Sequence, residues 1–413
     1  MTKTPRRSRA GLGRAFRLVQ LSTGMSGVGD GLVLAAFPLL AARLTDDPRL
    51  IVAVTVAARL PWLLVSLPAG ALVDRLDRRR LVVGVEVGRA GVLGAFAIAV
   101  MADRGALGAL LATVFLIGVG QTVIVSATHA VLPEIVHTDD LGQANGALAA
   151  TEAATEDLIG PALGGILFAA AAALPFVIDG ISFAVAAALL AVALPATSHA
   201  MRTAPASRLR TDIADGFRFF IHEPVLRIVG GLVALLAFCQ AMVFGPLVLF
   251  ALNGLGLSDA GYGLLLAGAA LGTVFGGTVA SRLDRRFGPG VLLAASGVAA
   301  AGAYALCGVA STAVLAGLAL AGEGVAVAVG NVTSLTLRQR ITPNELLGRV
   351  GNVMRFFIFG AIPLGALAGG FLVQWLGVRA PFAGAAVLQL LAVVIMAPTL
   401  VRRLRPTVQT SAA

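Results

Sequence analysis

Apolar stretches long enough to cross a lipid bilayer recur along almost the entire chain. A helix crosses the hydrocarbon core in about 20 residues, and stretches of that length are separated here by charges or turn residues. They lie at about 14–42, 50–73, 81–102, 106–131, 142–170, 174–195, 224–252, 260–281, 288–309, 312–337, 348–376 and 379–401. Backbone groups in lipid must be hydrogen-bonded within the segment. The sequence therefore predicts an all-α membrane protein of twelve transmembrane helices.

Composition and charge support a membrane protein and argue against a nucleic-acid-binding protein. Hydrophobic residues make up 58% of the 413 residues and charged residues only 13%, far from the balance of a soluble domain. The formal net charge of +10 does not form a continuous basic patch of the kind that binds nucleic acid. The arginines lie in short clusters between apolar stretches, and no nucleic-acid partner is expected.

The arginine clusters predict the topology. With twelve spans, the basic clusters within 3–17, 75–80, 202–227, 282–286, 338–355 and 402–405 all fall on one side. The other side carries only Arg43, Arg49, Arg104 and Arg379. The positive-inside rule makes the richer side cytoplasmic. Together with the preference for Arg over Lys and the many alanines, this predicts a multi-pass protein of the bacterial cytoplasmic (inner) membrane with both termini in the cytoplasm.

Three short patterns occur twice, about half the chain apart. Internal repeats constrain a fold more strongly than composition does. The repeated pairs are Arg-Leu-Asp-Arg-Arg at 75–79 and 282–286, Leu-Gly at 141–142 and 347–348, and Gly-Gly at 164–165 and 369–370. Two parallel six-helix halves are a known plan of secondary transporters. We expect an N-terminal bundle at 1–196, a cytoplasmic linker at 197–223 and a C-terminal bundle at 224–413.

The loop after the second helix resembles a motif of the major facilitator superfamily. It reads Gly-Ala-Leu-Val-Asp-Arg-Leu-Asp-Arg-Arg over 70–79, with Asp77 where the motif has its second glycine. This variant is similar to the drug/proton antiporter branch that includes macrolide and siderophore exporters. The resemblance implies the twelve-helix major facilitator fold, a small-molecule substrate, no cofactor or metal, and a monomer.

The same resemblance implies a cytoplasmic gate. Its residues would be Gly70, Asp74, Arg75, Arg78 and Glu134, with the arginines pairing with acids across the cytoplasmic face. The second copy contributes Arg282, but Ser281 stands where Asp74 stands in the first copy. The gate contacts of the second copy are therefore expected to be weaker. The alternative is that these arginines only fix the topology.

The fifth apolar stretch carries a signature of exporters. It contains Gly160, Pro161, Gly164 and Gly165, similar to the Gly-Pro-x-x-Gly-Gly end of the exporter motif of this superfamily. Proline bends a helix, so an ordinary kinked packing helix is the alternative. Glu156 departs from the fuller motif, which has glycine there. The arginine of some proton-coupled members is absent from 105–130, which argues against the usual proton relay.

Charged and polar residues inside the apolar stretches are the candidate proton and substrate sites. Such charges are costly in a bilayer and are functional hypotheses by default. The candidates are Asp30, Arg59, Glu152, Glu156, Glu323, Gln121 and Gln240. By depth, Asp30 and Arg59 could pair; the alternative is an unpaired Asp30 that carries a proton. Glu152 and Glu156 are four apart and share a helix face, which suits proton exchange, whereas Glu86 and Arg89 are expected to form a local structural pair.

The favoured function is secondary active export of a small amphipathic or hydrophobic compound by proton-coupled alternating access, with protons and the lipid bilayer as the other partners. The alternative is an uptake transporter or facilitator without proton antiport. A membrane enzyme is a third hypothesis. The sequence has no H-E-x-x-H, G-x-S-x-G or P-loop motif, so no enzyme activity and no catalytic residue is expected.

Overall fold

Twelve long helices form the molecule, and the computed structural model describes residues 12–194, 217–343 and 346–403. Eleven of the helices are α1 Gly13–Leu44, α2 Pro48–Arg75, α3 Arg78–Met101, α4 Leu107–Ile135, α6 Leu174–Ala193, α7 Pro224–Phe244, α8 Asp259–Phe287, α9 Pro289–Val309, α10 Ala313–Ile341, α11 Leu347–Leu376 and α12 Ala380–Arg403. The remaining one, α5, joins Leu141–Glu152, Ala153–Ile159 and Gly160–Ala170 without a break.

Length and apolar composition allow these helices to cross a membrane. Within the described residues, 11 helices meet both conditions, and Ala380–Met396 of α12 is a shorter apolar stretch. The described residues contain no strand. The predicted all-α architecture of twelve helices is confirmed.

The fifth helix changes its winding at mid-span. Ala153–Ile159 is a π-helical turn, and Gly160–Ala170 resumes the α-helix with Pro161 at its start. Proline has no backbone N–H and cannot complete the α-helical hydrogen bond to the residue four earlier. A wider turn just before Pro161 is the local solution, and π-turns of this kind are frequent at functional sites.

The seventh helix is shorter than the continuous stretch predicted at 224–252. It ends at Phe244, and the chain continues through Leu247–Leu249 and a second π-helical turn, Phe250–Gly254. The break falls at Gly245 and Pro246, where proline again removes a backbone donor. Leu247–Leu249 contacts α1 of the first six helices.

Packing is most extensive within each set of six helices. In the first set α1 packs on α6, α2 on α4 and α3 on α6, whereas in the second set α8 packs on α10, α11 on α7, and α9 on both α10 and α12. The main contacts between the two sets are α2 with α11 and α5 with α8. The domain boundaries themselves stay a prediction, because 195–216 lies outside the described residues.

The two Gly-Gly copies occupy equivalent positions in the packing. A Cβ added at Gly164 would lie 2.9 Å from Cα of Leu32 in α1, and one at Gly369 would lie 3.1 Å from Cα of Met242 in α7. The first glycine of each pair thus packs α5 or α11 within its own set of helices. Contacts this close have no room for a side chain.

The second glycine of each pair packs across to the other set. A Cβ at Gly165 would lie 3.1 Å from Cα of Gly263 in α8, and one at Gly370 would lie 3.3 Å from Cα of Arg49 in α2. Beside them, Arg43 Nη2 and Asp259 Oδ2 form an ion pair of 2.6 Å between α1 and α8. The two sets are therefore closed against each other at the face where α1 ends, the predicted outer face.

We expect Gly165→Leu to push this interface apart, because the new side chain would overlap α8. The measurement is oxidative cross-linking of Arg43→Cys with Asp259→Cys in a background in which the buried cysteines Cys239 and Cys307 are replaced by alanine. The cross-linking yield should fall to less than about half. The matched control is Gly146→Leu on the same helix, where an added Cβ meets nothing within 4 Å. An unchanged yield in Gly165→Leu would contradict the assignment of this glycine to the closed interface.

Candidate functional site

A buried arginine lies between three helices of the first set. Arg89 of α3 is 3% exposed. Its Nη2 donates to Asp30 Oδ1 of α1 at 2.6 Å and its Nη1 donates to Glu86 Oε2 one turn away at 3.4 Å. The guanidinium lies over the ring of Phe183 in α6, 3.7 Å from the centroid. Cation–π contact of this kind stabilises a desolvated charge.

A third carboxylate faces the same guanidinium from α6. Asp179 is fully buried, and its Oδ1 accepts a hydrogen bond of 3.0 Å from Ser182. Its Oδ2 is buried without a hydrogen-bond partner, as is Nε of Arg89. Asp179 interacts electrostatically with both Arg89 and Asp30. One cation therefore faces three carboxyl groups, and we call Asp30, Glu86, Arg89 and Asp179 the Arg89 cluster.

Two glycines make room for the Arg89 cluster. A Cβ at Gly29 of α1 would lie 2.8 Å from Cγ of Asp179. A Cβ at Gly120 of α4 would lie 2.7 Å from Cδ of Arg89. Four helices, α1, α3, α4 and α6, are thus shaped to enclose the arginine and its acids.

Asp30 does not pair with Arg59, the partner that depth along the helices made possible. Asp30 binds Arg89 and not Arg59, because Arg89 reaches it from α3 inside the helix packing, whereas Arg59 is exposed on α2. The predicted Glu86–Arg89 contact exists, but it is the longer of these two ion-pair contacts of Arg89. Depth alone did not distinguish two arginines at similar positions along different helices.

A second group of charges lies on α5 and α2. Glu152 and Asp157 are exposed and Glu156 is half-buried. Asp157 interacts electrostatically with Glu152 and Glu156, and Arg59 interacts with Glu156 and Asp157. The structure brings Arg59 near these acids instead of Asp30. Glu156 also interacts electrostatically with Asp30, so the two groups of charges are neighbours.

The second set of helices buries one carboxyl group of its own. Glu323 of α10 is 1% exposed, and its Oε1 accepts from Tyr304 of α9 at 2.8 Å and from Gln240 of α7 at 3.4 Å. The structure therefore brings two predicted candidates, Glu323 and Gln240, together. Tyr304 was not predicted, since a lone tyrosine in an apolar stretch carries no signal. Gln121 is half-buried on α4.

Two residues of the predicted cytoplasmic gate, Arg78 and Glu134, contact each other at the opposite face. The side chains of Asp74 and Arg75 and the surroundings of Gly70 lie outside the described part of the structure. Arg78 forms an ion pair with Glu134 at the end of α4 and donates to the carbonyl of Ala130 at 3.1 Å. These are contacts within the first set of helices.

The departure from the loop motif has a structural role. Asp77 caps α3, because its Oδ1 accepts from the backbone N–H of Arg80 at 2.8 Å. In the second copy Arg282 is exposed, while Asp284 and Arg340 are 3.6 Å apart. In each set an ion pair thus joins the end of the fourth helix to the junction between the second and third helices, with the charges reversed.

Removing only Arg89 should destabilise the protein strongly. Breaking one partner of a buried ion pair leaves an uncompensated charge and costs about 3–5 kcal/mol. We expect Arg89→Gln to lower the thermal unfolding temperature in detergent more than the double variant Arg89→Gln/Asp30→Asn does. Additive losses in this double-mutant cycle would contradict a direct pair.

Comparisons with known proteins match the chain over nearly its whole length. A family model described as "Transmembrane secretion effector" matches residues 12–412. The enterobactin exporter EntS of Escherichia coli O1:K1 / APEC is 29% identical over 356 residues, covering 82% of this chain and 80% of the relative. EntS of Citrobacter koseri is 28% identical with the same coverage.

Solved structures share the fold at low sequence identity. A bacterial homologue of the iron transporter ferroportin in an inward-facing state has a TM-score of 0.72 at 17% identity, covering 94% of this chain and 98% of that one. A structure of the nucleoside transporter NupG has a TM-score of 0.72 at 13% identity, covering 94% of this chain and 99% of that one. The family and these relatives are transporters rather than enzymes, as predicted.

Proposed function

The chain belongs to the transmembrane secretion effector family of the major facilitator superfamily, and we propose that it exports a small amphipathic or hydrophobic compound in exchange for protons. The Arg89 cluster is the proton-responsive element of this proposal. Export rests on two supports: the Gly-Pro-x-x-Gly-Gly signature of α5 and the named relatives, which are exporters of enterobactin.

The observation that carries the proposal is the imbalance of charge around Arg89. One guanidinium faces Asp30, Glu86 and Asp179, and all of them lie within apolar helices. An isolated buried carboxylate is so costly that such a group takes up a proton instead. One negative charge is enough to neutralise Arg89, so three carboxyl groups around it give the cluster a capacity for protons.

Asp30 is the acid that links the proton to motion. It lies on α1, which packs on α5 and α6 and contacts Leu247–Leu249 and α8 of the other set. When Asp30 is ionised, its short bond to Arg89 holds α1 against α3. When it is protonated, the charge attraction is lost and α1 is released to move with the interface that closes the outer face.

Substrate and proton would compete through the neighbouring acids. Glu156 interacts electrostatically with both Asp30 and Arg59, so a ligand near α5 changes the potential at Asp30. The π-helical turn of α5 packs directly on α1, because a Cβ at Gly31 would lie 3.0 Å from the carbonyl oxygen of Thr155. Binding near α5 and protonation of Asp30 are thus coupled through one helix contact.

Substrate-induced proton release in inverted vesicles tests the proposal. With an imposed pH gradient and a panel of lipophilic cations, macrolides and catecholates, we expect at least one compound to release protons in the wild type. Asp30→Asn should abolish that release, because an amide cannot carry the proton. The matched control is Asp103→Asn, an exposed acid in the loop after α3 with φ of 53° that asparagine tolerates.

Two results would overturn the proposal. Labelled substrate that equilibrates without any proton movement would indicate a facilitator. Full proton release in Asp30→Asn would move the proton site away from the Arg89 cluster.

A further inference from the structure

One face of α2 carries a stripe of polar side chains at helical spacing. Thr55, Arg59, Trp62 and Ser66 follow one another at intervals of four, three and four residues. That spacing places them on one side of an α-helix. Arg59 and Ser66 are exposed, and Thr55 and Trp62 are half-buried.

The opposite arc of α2 is apolar and suits contact with lipid. It carries Leu50, Ala53, Ala57, Leu60 and Leu64. Leu50 and Leu64 are 41% and 56% exposed, as expected of side chains that face hydrocarbon. The polar stripe is therefore the side of α2 turned away from the bilayer.

Neighbouring helices place the polar stripe between α4 of its own set and α11 of the other set. Ala58 and Pro61 of α2 lie against Gly118 of α4, and Val52 lies against Gly370 of α11. The stripe falls between these two contacts. Glu156 and Asp157 of α5 interact electrostatically with Arg59, so Arg59 lies within reach of the charges of α5.

An aromatic pair crosses between the sets at the level of this stripe. The rings of Trp62 and Phe359 of α11 are 5.3 Å apart at centroid with an interplanar angle of 14°. Both residues are half-buried, so part of each ring is open. Stacked rings offer a planar apolar surface that favours a further flat ring in an offset stack.

Arg59 lies one turn from Trp62 on the same side of α2. A guanidinium is a planar donor of up to five N–H groups and binds carboxylates and other oxyanions in a bidentate manner. The other charges near it are the acids Glu156 and Asp157 of α5, so an anionic group would compete with these acids for Arg59. A ligand with a flat ring at one end and an anionic group at the other would match Trp62 and Arg59 together.

We propose that Arg59, Trp62 and Phe359 form a substrate-binding subsite for a planar aromatic ring that bears an anionic oxygen group. This deepens the proposed export function and rests on it for the direction of transport. Binding itself does not depend on proton exchange. Thr55 and Ser66 extend the stripe with hydroxyl donors for further oxygen atoms of such a compound.

The chain offers a direct optical test, because it contains only two tryptophans. Trp375 is 73% exposed on α11, so Trp375→Phe leaves Trp62 as the sole indole emitter. Purified full-length Trp375→Phe is titrated at constant pH, without a gradient, with the quenchers 4-iodobenzoate and 4-iodobenzylamine. Saturable quenching by 4-iodobenzoate is expected, and benzoate should reverse it while cyclohexanecarboxylate should not.

Charge variants then test the role of Arg59. Arg59→Gln should weaken 4-iodobenzoate binding about tenfold, as expected for loss of a charge-assisted hydrogen bond, and Arg59→Lys should restore part of it. The control is Arg104→Gln, which removes an exposed arginine outside the stripe. Phe359→Ala should weaken both iodinated ligands, because it removes half of the stacking surface.

Three outcomes would overturn the subsite: equal binding of the ammonium and carboxylate probes, displacement by cyclohexanecarboxylate, or unchanged binding in Arg59→Gln. None of these depends on proton release. A failure of antiport in vesicles with a preserved carboxylate preference at Trp62 would contradict the proposed coupling and leave the subsite intact.

Discussion

The first six helices are organised around one buried cation. Arg89 needs counter-charges because a guanidinium within apolar helices cannot be hydrated, and it obtains them from α1, from α6 and from its own helix. Gly29 and Gly120 lie at the points where a side chain would displace Asp179 or the stem of Arg89. Three carboxyl groups face one guanidinium, and in the proposed mechanism this excess gives the bundle a capacity for protons. In that mechanism a proton arriving at Asp30 changes the contact that holds α1 against α3.

In the proposed mechanism, motion of α1 would act on the interface that closes the two sets of helices against each other at the predicted outer face. Gly165 and Gly370 bring α5 against α8 and α2 against α11, and Arg43 reaches Asp259 at the same face. Backbones that touch without side chains between them can separate and close again with little repacking. The first glycines of each pair, Gly164 and Gly369, bind α5 and α11 to their own sets, so each set can move as a unit.

The sequence was sufficient for the fold and for part of the site. Apolar stretches predicted twelve helices because length is fixed by bilayer thickness, and the Gly-Gly copies proved to be equivalent in packing. Gln240 and Glu323 were both singled out and lie together. The partner of Asp30 was missed because depth along a helix does not give rotation or neighbours, and Arg59 and Arg89 differ in both. The change of winding in α5 and the end of α7 follow from Pro161 and Pro246, which a hydropathy pattern averages over. Nothing in the sequence singled out Tyr304, because its hydrogen bond to Glu323 depends on α10 packing against α9.

The central claim is that the Arg89 cluster holds a proton that substrate binding displaces. Infrared difference spectroscopy of the full-length protein, with and without an exported compound, observes this directly through the C=O stretch of protonated carboxyl groups. The account predicts that a protonated-carboxyl band is lost on substrate binding and that this loss is missing in Asp30→Asn but present in Asp103→Asn. A spectrum without any loss of protonated carboxyl in the wild type, for a compound that is demonstrably transported, would contradict the account.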